Sequence, residues 1–461
     1  MSDLSSYRSI HIVGIGGAGM SAIARVLKAR GFAVRGSDRS EGRLVAALRE
    51  EGIPVCVGHA PENVGDADLV LISSAVPAEN PEVQYAHQQG IPVMQRPAFL
   101  PLLTDGYDVV AVAGAHGKTT AAGMLATVLL AAGLDPTYIV GGIVNNLETN
   151  ARVGTGNLFV IEADEYRNTF LSLNPAIAVI TNIEYDHPDV FPCVDDLCKA
   201  FSCFVGQIRK DGTLIACGDD AAAREIGGAF GAQGGHLTLY GSDASEDLDW
   251  RVDKVRPNSL GGVDFKIWCG DTAKGTVHLQ IPGAHNALNA LAVLAVATEL
   301  GVAFDAAAKA LESFKGTARR FEVLGEAQGV VVVDDYAHHP TQIKAVLSMA
   351  RQRYPGRRVV AVWQPHTFSR IKALREDFLE AFGEADRVLV LPIYAAREVD
   401  DGTVTHRELA AALKHASVAA AASLQDAAQL LAADITSGDV VLLMGAGDEY
   451  QVGEALLTLL Q

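Results

Sequence analysis

Short apolar runs alternate along this chain with longer stretches in which Ala, Leu and Val recur every three or four positions. Ser9 to Gly14, Phe32 to Gly36, Asp68 to Ser73 and Ile91 to Met94 read as strands. A helix is expected from about Gly19 to Arg30, and a short closing helix from Arg96 to Leu103. The runs lack polar alternation, so they predict strands covered on both faces, as in parallel sheets with helical crossovers. The rhythm continues with strands at Asp108 to Ala113, Leu158 to Ile161 and Ala178 to Ile180, then Ala-rich helices at Ala287 to Leu300 and Ala303 to Leu311. Between them, Gly231 to Val277 is richer in Gly, Asp and Ser, and reads as either an antiparallel edge or a surface excursion. The last third repeats the pattern at Val330 to Asp334, a helix from Thr341, Arg358 to Trp363, a helix through Phe378, Arg387 to Pro392 and Val440 to Gly445. Breaks at Thr104-Asp105-Gly106 and Phe314-Lys315-Gly316-Thr317 divide the chain into three α/β units, 1–106, 107–315 and 316–461.

Composition narrows the class. A chain of 461 residues exceeds a single core, in keeping with several domains. The formal charge of −18 repels a phosphate backbone and an anionic membrane surface, so neither nucleic acid nor membrane is an expected partner. The start Met1-Ser-Asp-Leu-Ser-Ser lacks the basic and apolar regions of a signal peptide, and a cytoplasmic protein is expected. Six cysteines without a CxxC pair argue against a disulfide framework, and the five-residue spacing of Cys193, Cys198 and Cys203 spreads them around a helix.

Two glycine-rich turns carry candidate chemistry. Gly114-Ala115-His116-Gly117-Lys118-Thr119-Thr120 follows a strand and opens a helix, the arrangement of a phosphate cradle. Backbone N–H groups attract phosphate, Lys118 neutralises charge and a Thr hydroxyl holds Mg²⁺. The longer P-loop pattern would place Gly where this chain has Val112, so the match is to the shorter form. Gly14-Ile15-Gly16-Gly17-Ala18-Gly19-Met20 has dinucleotide-turn spacing, with Asp38 about twenty positions on. Its physical requirement is a diphosphate at a helix start, which any nucleoside diphosphate satisfies. The expected architecture is therefore a Rossmann-like N-terminal domain, a central P-loop ATPase-like α/β domain and a Rossmann-like C-terminal domain.

Polar strand ends supply the remaining candidates. Glu162-Ala-Asp164-Glu165 and Thr181-Asn182-Ile-Glu184-Tyr-Asp186-His187 place oxygen donors and an imidazole beside the phosphate loop, a plausible Mg²⁺ and ATP site. Asn286 and Asn289 share a helix face and read as nucleotide contacts or as capping residues. Arg319-Arg320 follows the second break, and Asp334-Asp335-Tyr-Ala-His338-His339 follows four valines. The His pair reads as one functional and one structural imidazole. Gln364-Pro-His-Thr367-Phe-Ser-Arg370 offers a guanidinium for a carboxylate, or a surface ion pair. No nucleophile elbow or activated Cys is evident.

Together these segments resemble the Mur ligase family, from His11-Ile-Val-Gly-Ile-Gly-Gly-Ala-Gly-Met to Gly445-Ala-Gly-Asp, essentially the whole length. The order and spacing of the motifs are similar to the branch that uses ATP to join L-alanine to UDP-N-acetylmuramate for peptidoglycan synthesis. The resemblance implies UDP-sugar binding at Gly14, Gly16, Gly17, Ala18, Gly19, Met20 and Asp38. ATP would meet Gly114 to Thr120, Asn286, Asn289, Arg320 and Asp335, with Mg²⁺ on Thr119, Glu162 and His187. L-alanine would be oriented by His338 and Arg370. Lys118, Glu162, His187, Arg320 and His338 would carry catalysis through an acyl phosphate, with the C-terminal domain closing about Lys315 to Arg320 as a monomer or homodimer. Some members have Arg where this chain has Thr367, which throws more of the alanine binding onto Arg370. Lys199 does not match the modified lysine of other branches. A ligase that recycles a ready-made tripeptide onto the same sugar is the nearest rival; a non-catalytic nucleotide-binding regulator is the rival from another class.

Overall fold

The computed structural model describes residues 4–242 and 247–461. Its strands form three sheets, one for each third of the chain. In the first, β1 (Ser9–Val13), β2 (Ala33–Asp38), β3 (Val55–Val57), β4 (Leu69–Ile72) and β5 (Val93–Gln95) are all parallel in the order β3-β2-β1-β4-β5. Strand order reverses at β1, and the crevice beyond that point is where a doubly wound sheet receives its ligand. The Ala18–Ala29 helix begins there.

The second sheet has ten strands: β6 (Asp108–Ala113), β7 (Thr137–Val144), β8 (Thr149–Arg152), β9 (Leu158–Glu162), β10 (Ile177–Ile180), β11 (Thr213–Cys217), β12 (His236–Gly241), β13 (Trp250–Pro257), β14 (Val263–Cys269) and β15 (Thr272–His278). They are ordered β15-β14-β13-β12-β11-β10-β6-β9-β7-β8. The glycine-rich Gly231 to Val277 region is thus a continuation of the main sheet, parallel as far as β13 and antiparallel through β14 and β15. Val263, Phe265 and Ile267 on β14 turn alternately inward, the period of a half-covered strand. The helix Lys118–Ala131 is buried continuously from Thr119 to Leu129. Its small Ala and Gly residues let it lie between the sheet and the Ala284–Glu299 helix, itself Ala-rich.

The third sheet consists of β16 (Glu322–Ala327), β17 (Val330–Asp335), β18 (Val359–Trp363), β19 (Arg387–Val390), β20 (Val418–Ala420) and β21 (Val440–Met444) in the order β16-β17-β21-β18-β19-β20. Only its edge strand β16 is antiparallel. The single helix expected through Phe378 is two short ones, Phe368–Ala373 and Arg375–Leu379. The break at Leu374 lets Ile371 and Phe378 both reach the core, where Phe378 stacks on Trp363 at 5.1 Å. The cysteines are all free, and Cys193, Cys198 and Cys203 do not converge. Among the described residues no helix is long and apolar enough to cross a membrane.

Between the second and third sheets the chain changes allegiance within a few residues. Thr317 bridges Val144, and the Ala318 N–H donates to Ile143 O at 2.8 Å, so this stretch belongs to the edge of the middle domain. Arg319 O accepts from the Tyr336 N–H, and its guanidinium meets Gly445 O and Gly447 O in the C-terminal domain. Arg319 and Phe321 have φ of +59° and +52°, a conformation L-residues adopt only under constraint from both sides.

Candidate active site

The phosphate loop is shaped by β10. Ala115 N–H donates to Asn182 O at 3.0 Å and His116 N–H to Asn182 Oδ1 at 2.9 Å, while Asn182 Nδ2 returns a bond to His116 O. Thr181 Oγ1 donates to the same carbonyl at 2.6 Å. Gly114 and Gly117 have φ of +136° and +86°; a side chain on the first would strike Thr181 and on the second Asn289 Oδ1. Among the described residues no side chain caps the following helix, which leaves its first N–H groups available to an anion. Asn289 therefore abuts the loop. Asn286 uses its amide on Pro282 O, and Asn289 donates to Asn286 Oδ1, so neither is the helix cap, a position held by Gly283.

Lys118 Nζ lies 2.9 Å from both carboxylate oxygens of Glu165 and also donates to Gly114 O. Burial opposes its charge, but Glu165, Asp164 and Glu162 outweigh that and raise its pKa. Thr119 Oγ1 donates to Glu162 at 3.2 Å, whereas His187 Nε2 sits 3.9 Å from Glu165. Burial pushes the Glu162 carboxyl up, against the Gly141 N–H, Lys118 and Arg320. His187 has φ of +56°, and its buried Nδ1 has no hydrogen-bond partner among the described residues. Thr119 and Glu162 are hard oxygen donors in contact, a set that suits Mg²⁺, and the unpaired nitrogen of His187 is a further candidate donor. Glu165 belongs to the acidic block at this strand end, and the sequence gives no signal that it, within that block, pairs with Lys118.

A cavity of about 540 Å³ opens from this loop between the middle and C-terminal domains. Asn286, Asn289 and His285 line it from one side, Arg320, Asp335 and Met349 from the other. The Asp335 carboxylate accepts the Phe321 and Ala337 N–H groups at 2.7 and 2.8 Å, fixing the chain beside Arg320. Burial raises Asp335 to about 6 despite Arg320.

Asp186, to which the sequence gives no role of its own within the Thr181 to His187 strand end, is the hub of the second half of the site. Arg370 Nε donates to its Oδ1 at 2.7 Å across the domain boundary, and both side chains are almost fully buried. His187 and His338 each approach within 3.9 Å. Burial alone would raise Asp186; His187 and the hydrogen-bonded Arg370 reverse this and hold it well below the carboxylate range. His338 Nδ1 faces Tyr336 O at 2.8 Å and must donate to it, leaving the Nε2 lone pair toward Asp186 and His366. Burial and Arg370 keep His338 neutral, and the same causes lower His366 to about 3. Arg370 Nη1 donates to His366 O and Nδ1. Its Nη2 makes no hydrogen bond among the described residues.

His338 and His339 take separate partners. His339 caps the Pro340–Arg353 helix, with Gln342 completing the reciprocal box. Gln342 Oε1 accepts the His338 and His339 N–H groups, so its Nε2 donates to His116 Nδ1 at 2.8 Å, and His116 Nε2–H meets Glu184 at 2.6 Å. The atoms of His116, Glu184 and His339 lie within 4.8 Å of one another, as metal ligands would. Each is already engaged: His339 Nδ1 accepts from Thr341 N–H and its Nε2 donates to Tyr185 O, so the group latches the C-terminal domain onto the phosphate loop.

Beside Arg320, the Arg319 guanidinium stands between two fully buried carboxylates, Glu449 and Asp334, the latter at 3.3 Å. One cation cannot compensate both. Burial raises Asp334 to about 7 and also raises Glu449, with Arg319 opposing in each case. Because these folded pKa values exceed the unfolded ones, the folded state holds more protons between about pH 4 and 7, and stability falls as pH rises through that window. Thermal melts from pH 5 to 8 should show this decline, and Asp334→Asn should flatten it.

The N-terminal glycine turn is closed by its own chain. Gly14 and Ile15 N–H groups donate to Ser37 O, Gly16 N–H to Asp38 Oδ2 at 2.8 Å, and Gly17 N–H to Gly14 O. Asp38 thus holds the turn itself. The first N–H groups of the Ala18–Ala29 helix, on Ala18, Gly19 and Met20, have no partner among the described residues.

Two glycine turns, each opening a helix with no side-chain cap, in one three-domain α/β chain are the features of a multidomain nucleotide-using enzyme. Residues 9–108 match the model of the Mur ligase family catalytic domain, 112–297 that of the Mur ligase middle domain, and 319–447 that of the Mur ligase glutamate ligase domain. The chain is 42% identical to the UDP-N-acetylmuramate–L-alanine ligase of Roseiflexus castenholzii, over 97% of each chain. It shares a TM-score of 0.83 and 28% identity with the UDP-N-acetylmuramate-alanine ligase structure from Thermotoga maritima, over 98% of each. The murein peptide ligase of Psychrobacter arcticus has the same fold, with a TM-score of 0.76 at 24% identity over 98% of each. The chain belongs to the Mur ligase family, whose members form amide bonds with ATP.

Proposed function

We propose that this chain joins L-alanine to the lactyl carboxylate of UDP-N-acetylmuramate through an acyl phosphate, releasing ADP and phosphate, in the cytoplasmic synthesis of peptidoglycan precursor. The observation that carries this reading is the continuity of two sites through Asp186-His187: phosphate-handling groups on one side, a buried Arg and neutral imidazoles on the other. In the division of labour we favour, residues 1–106 bind the sugar nucleotide, 107–315 bind ATP and 316–461 bind the amino acid.

A carboxylate does not couple to an amine at neutral pH because hydroxide leaves poorly, and phosphorylation solves this. Gly114 to Thr120 cradle the ATP phosphates, and Lys118 takes up charge that develops as the γ-phosphate passes to the lactyl oxygen. Thr119 and Glu162, joined by His187, would hold Mg²⁺, which when bound supplies further charge neutralisation on the phosphates. Asn286, Asn289, Arg320 and Asp335 surround the nucleotide. Arg370 Nη2 meets the alanine carboxylate while Asp186 attracts its ammonium group; neutral His338 and His366 add no competing cation. The alanine ammonium loses a proton to solvent; its neutral amine then attacks the acyl carbon, forming the C–N bond as the C–O bond to phosphate breaks, and the remaining excess proton leaves with the phosphate. The His116–Gln342 and Arg370–Asp186 contacts keep the domains closed and water out, which an acyl phosphate requires.

The test is phosphate release from ATP, Mg²⁺ and UDP-N-acetylmuramate with either L-alanine or the alanyl-glutamyl-diaminopimelate tripeptide. Turnover with alanine alone supports the reading; turnover with the tripeptide alone moves the chain to recycling, and none with either favours a regulator. Chelation by EDTA should abolish turnover. Glu162→Gln should raise the Mg²⁺ concentration needed for half-maximal rate about tenfold or more, as expected when a charged ligand is lost.

A further inference from the structure

Guanidinium groups and tyrosine rings alternate in one row from the first domain to the nucleotide cavity. Arg43, the first residue of the Arg43–Glu50 helix, places its Cζ 4.5 Å from the centre of the Tyr450 ring. The same ring lies 5.6 Å from Arg319 Cζ, and the Tyr336 ring lies 5.0 Å from Arg319 Cζ and 5.1 Å from that of Arg320. Tyr450 begins the last helix, and the fully buried Glu449 just before it accepts from Arg319 Nη2, so one helix start grips Arg319 by a carboxylate and a ring. Arg320 lines the cavity, yet its guanidinium makes no hydrogen bond among the described residues; the Tyr336 ring and the charge of Asp335 are what orient it. At the other end of the row, Arg43 Nε donates to Glu454 at 3.2 Å, and Val45 of the same helix packs on the first glycine turn, where a Cβ on Gly16 would lie 2.8 Å from Val45 Cγ2.

Resting on the sugar-nucleotide reading of the first domain and the ATP reading of the cavity, we propose that Tyr450 is a positioning residue for the nucleotide. With Arg43 docked on its ring, Tyr450 holds Arg319, and through the shared Tyr336 ring Arg320, in the orientation that meets ATP. The faces of the two rings attract these cations without fixing hydrogen bonds, which leaves the guanidinium nitrogens of Arg320 free for phosphate oxygens. Docking of the first domain on Tyr450 and filling of the cavity favour the same closed arrangement, so sugar nucleotide and ATP should tighten each other's binding by one common factor. A plain surface staple is the alternative: the Arg43–Glu454 ion pair is exposed on both sides, and such a pair by itself contributes little.

The test is calorimetric binding of the non-hydrolysable analogue AMP-PNP with Mg²⁺ to the full chain, with and without saturating UDP-N-acetylmuramate. In wild type the sugar nucleotide should tighten the analogue about fivefold or more, the lower end of ordinary coupling between sites. Arg43→Met, an exposed change that leaves the core untouched, should cut that factor by about twofold to fivefold, the scale of one partly exposed cation–ring contact. Tyr450→Leu should cut it at least as much, whereas Tyr450→Phe, which keeps the ring and loses only the hydroxyl, should stay within about twofold of wild type. Because both changes break the same contact, the double variant Arg43→Met/Tyr450→Leu should lose no more than Tyr450→Leu alone. A staple without a positioning role would change stability and leave the factor as it was. A wild-type factor of one would overturn the proposal, as would an unchanged factor in Tyr450→Leu, a full loss in Tyr450→Phe, or additive losses in the double variant. A wild type that shows the coupling yet releases no phosphate with alanine overturns the ligase reading and leaves Tyr450 standing; one that binds neither ligand overturns both.

Discussion

Lys118→Ala is expected to lower phosphate release about 10²–10³-fold, the scale on which removing one preorganised donor from a developing charge acts. UDP affinity should stay within about twofold, because the glycine turn that would receive UDP lies on a different sheet. In the structure the ammonium group is held by Glu165 and Gly114 O, and its raised pKa keeps it charged throughout the neutral range. ATP phosphates entering the loop would compete with Glu165 for the same cation. Lys118→Arg should not rescue the rate: a planar fork cannot occupy the point between the Glu165 carboxylate and the loop carbonyl that a compact ammonium fills. Measuring ATP turnover and UDP binding on the same preparation separates this from misfolding. A parallel loss of both would remove Lys118 from the phosphate role.

What could be read in the chain and what could not divides by sequence distance. The phosphate loop is local: strand, glycines, lysine and helix start are contiguous, and their chemistry follows from backbone geometry alone. The three sheets are legible for a similar reason, since runs such as Val330 to Val333 have nowhere to go but a doubly covered strand. The groups that complete the site are paired over long range. Glu165 meets Lys118 at a separation of 47 residues, Asp186 meets Arg370 at 184 and Gln342 meets His116 at 226. Asp186 and Glu184 look alike in sequence, two carboxylates beside one histidine, and only packing assigns one to Arg370 and the other to His116 and Thr341. Asp38 shows the opposite limit. Its spacing from the glycines is correct for a ligand contact, yet its carboxylate also holds Gly16, a use that spacing cannot reveal.

Asp186→Asn should have the second large effect: about 10²-fold in kcat/KM for L-alanine, with the KM for ATP much less affected. The asparagine keeps the shape but removes the charge that compensates Arg370, a residue only 3% exposed. Removing one partner of a buried pair costs about 3–5 kcal/mol when the other charge stays in place. Here the cost falls on the closed arrangement of the domains, because Asp186 belongs to the middle domain and Arg370 to the C-terminal one. Opening lets both groups reach water, so the variant should remain folded but close less readily, and misplacement of the alanine by an ångström is enough for the predicted loss. The pH dependence separates this from a titration effect. With its folded pKa held well below the ordinary carboxylate value, Asp186 contributes fully above about pH 4 and loses that contribution only as pH falls further. The defect of Asp186→Asn should therefore be nearly constant from pH 6 to 8. A defect that vanishes within that range would assign the group an ordinary titration and break the link to Arg370. Arg370→Met, which removes the buried cation from the other side, should restore closure to Asp186→Asn as judged by small-angle scattering with ATP analogue and UDP-N-acetylmuramate, but not alanine turnover. Closure without turnover would show that the pair carries two roles, one in docking the domains and one in holding the amino acid.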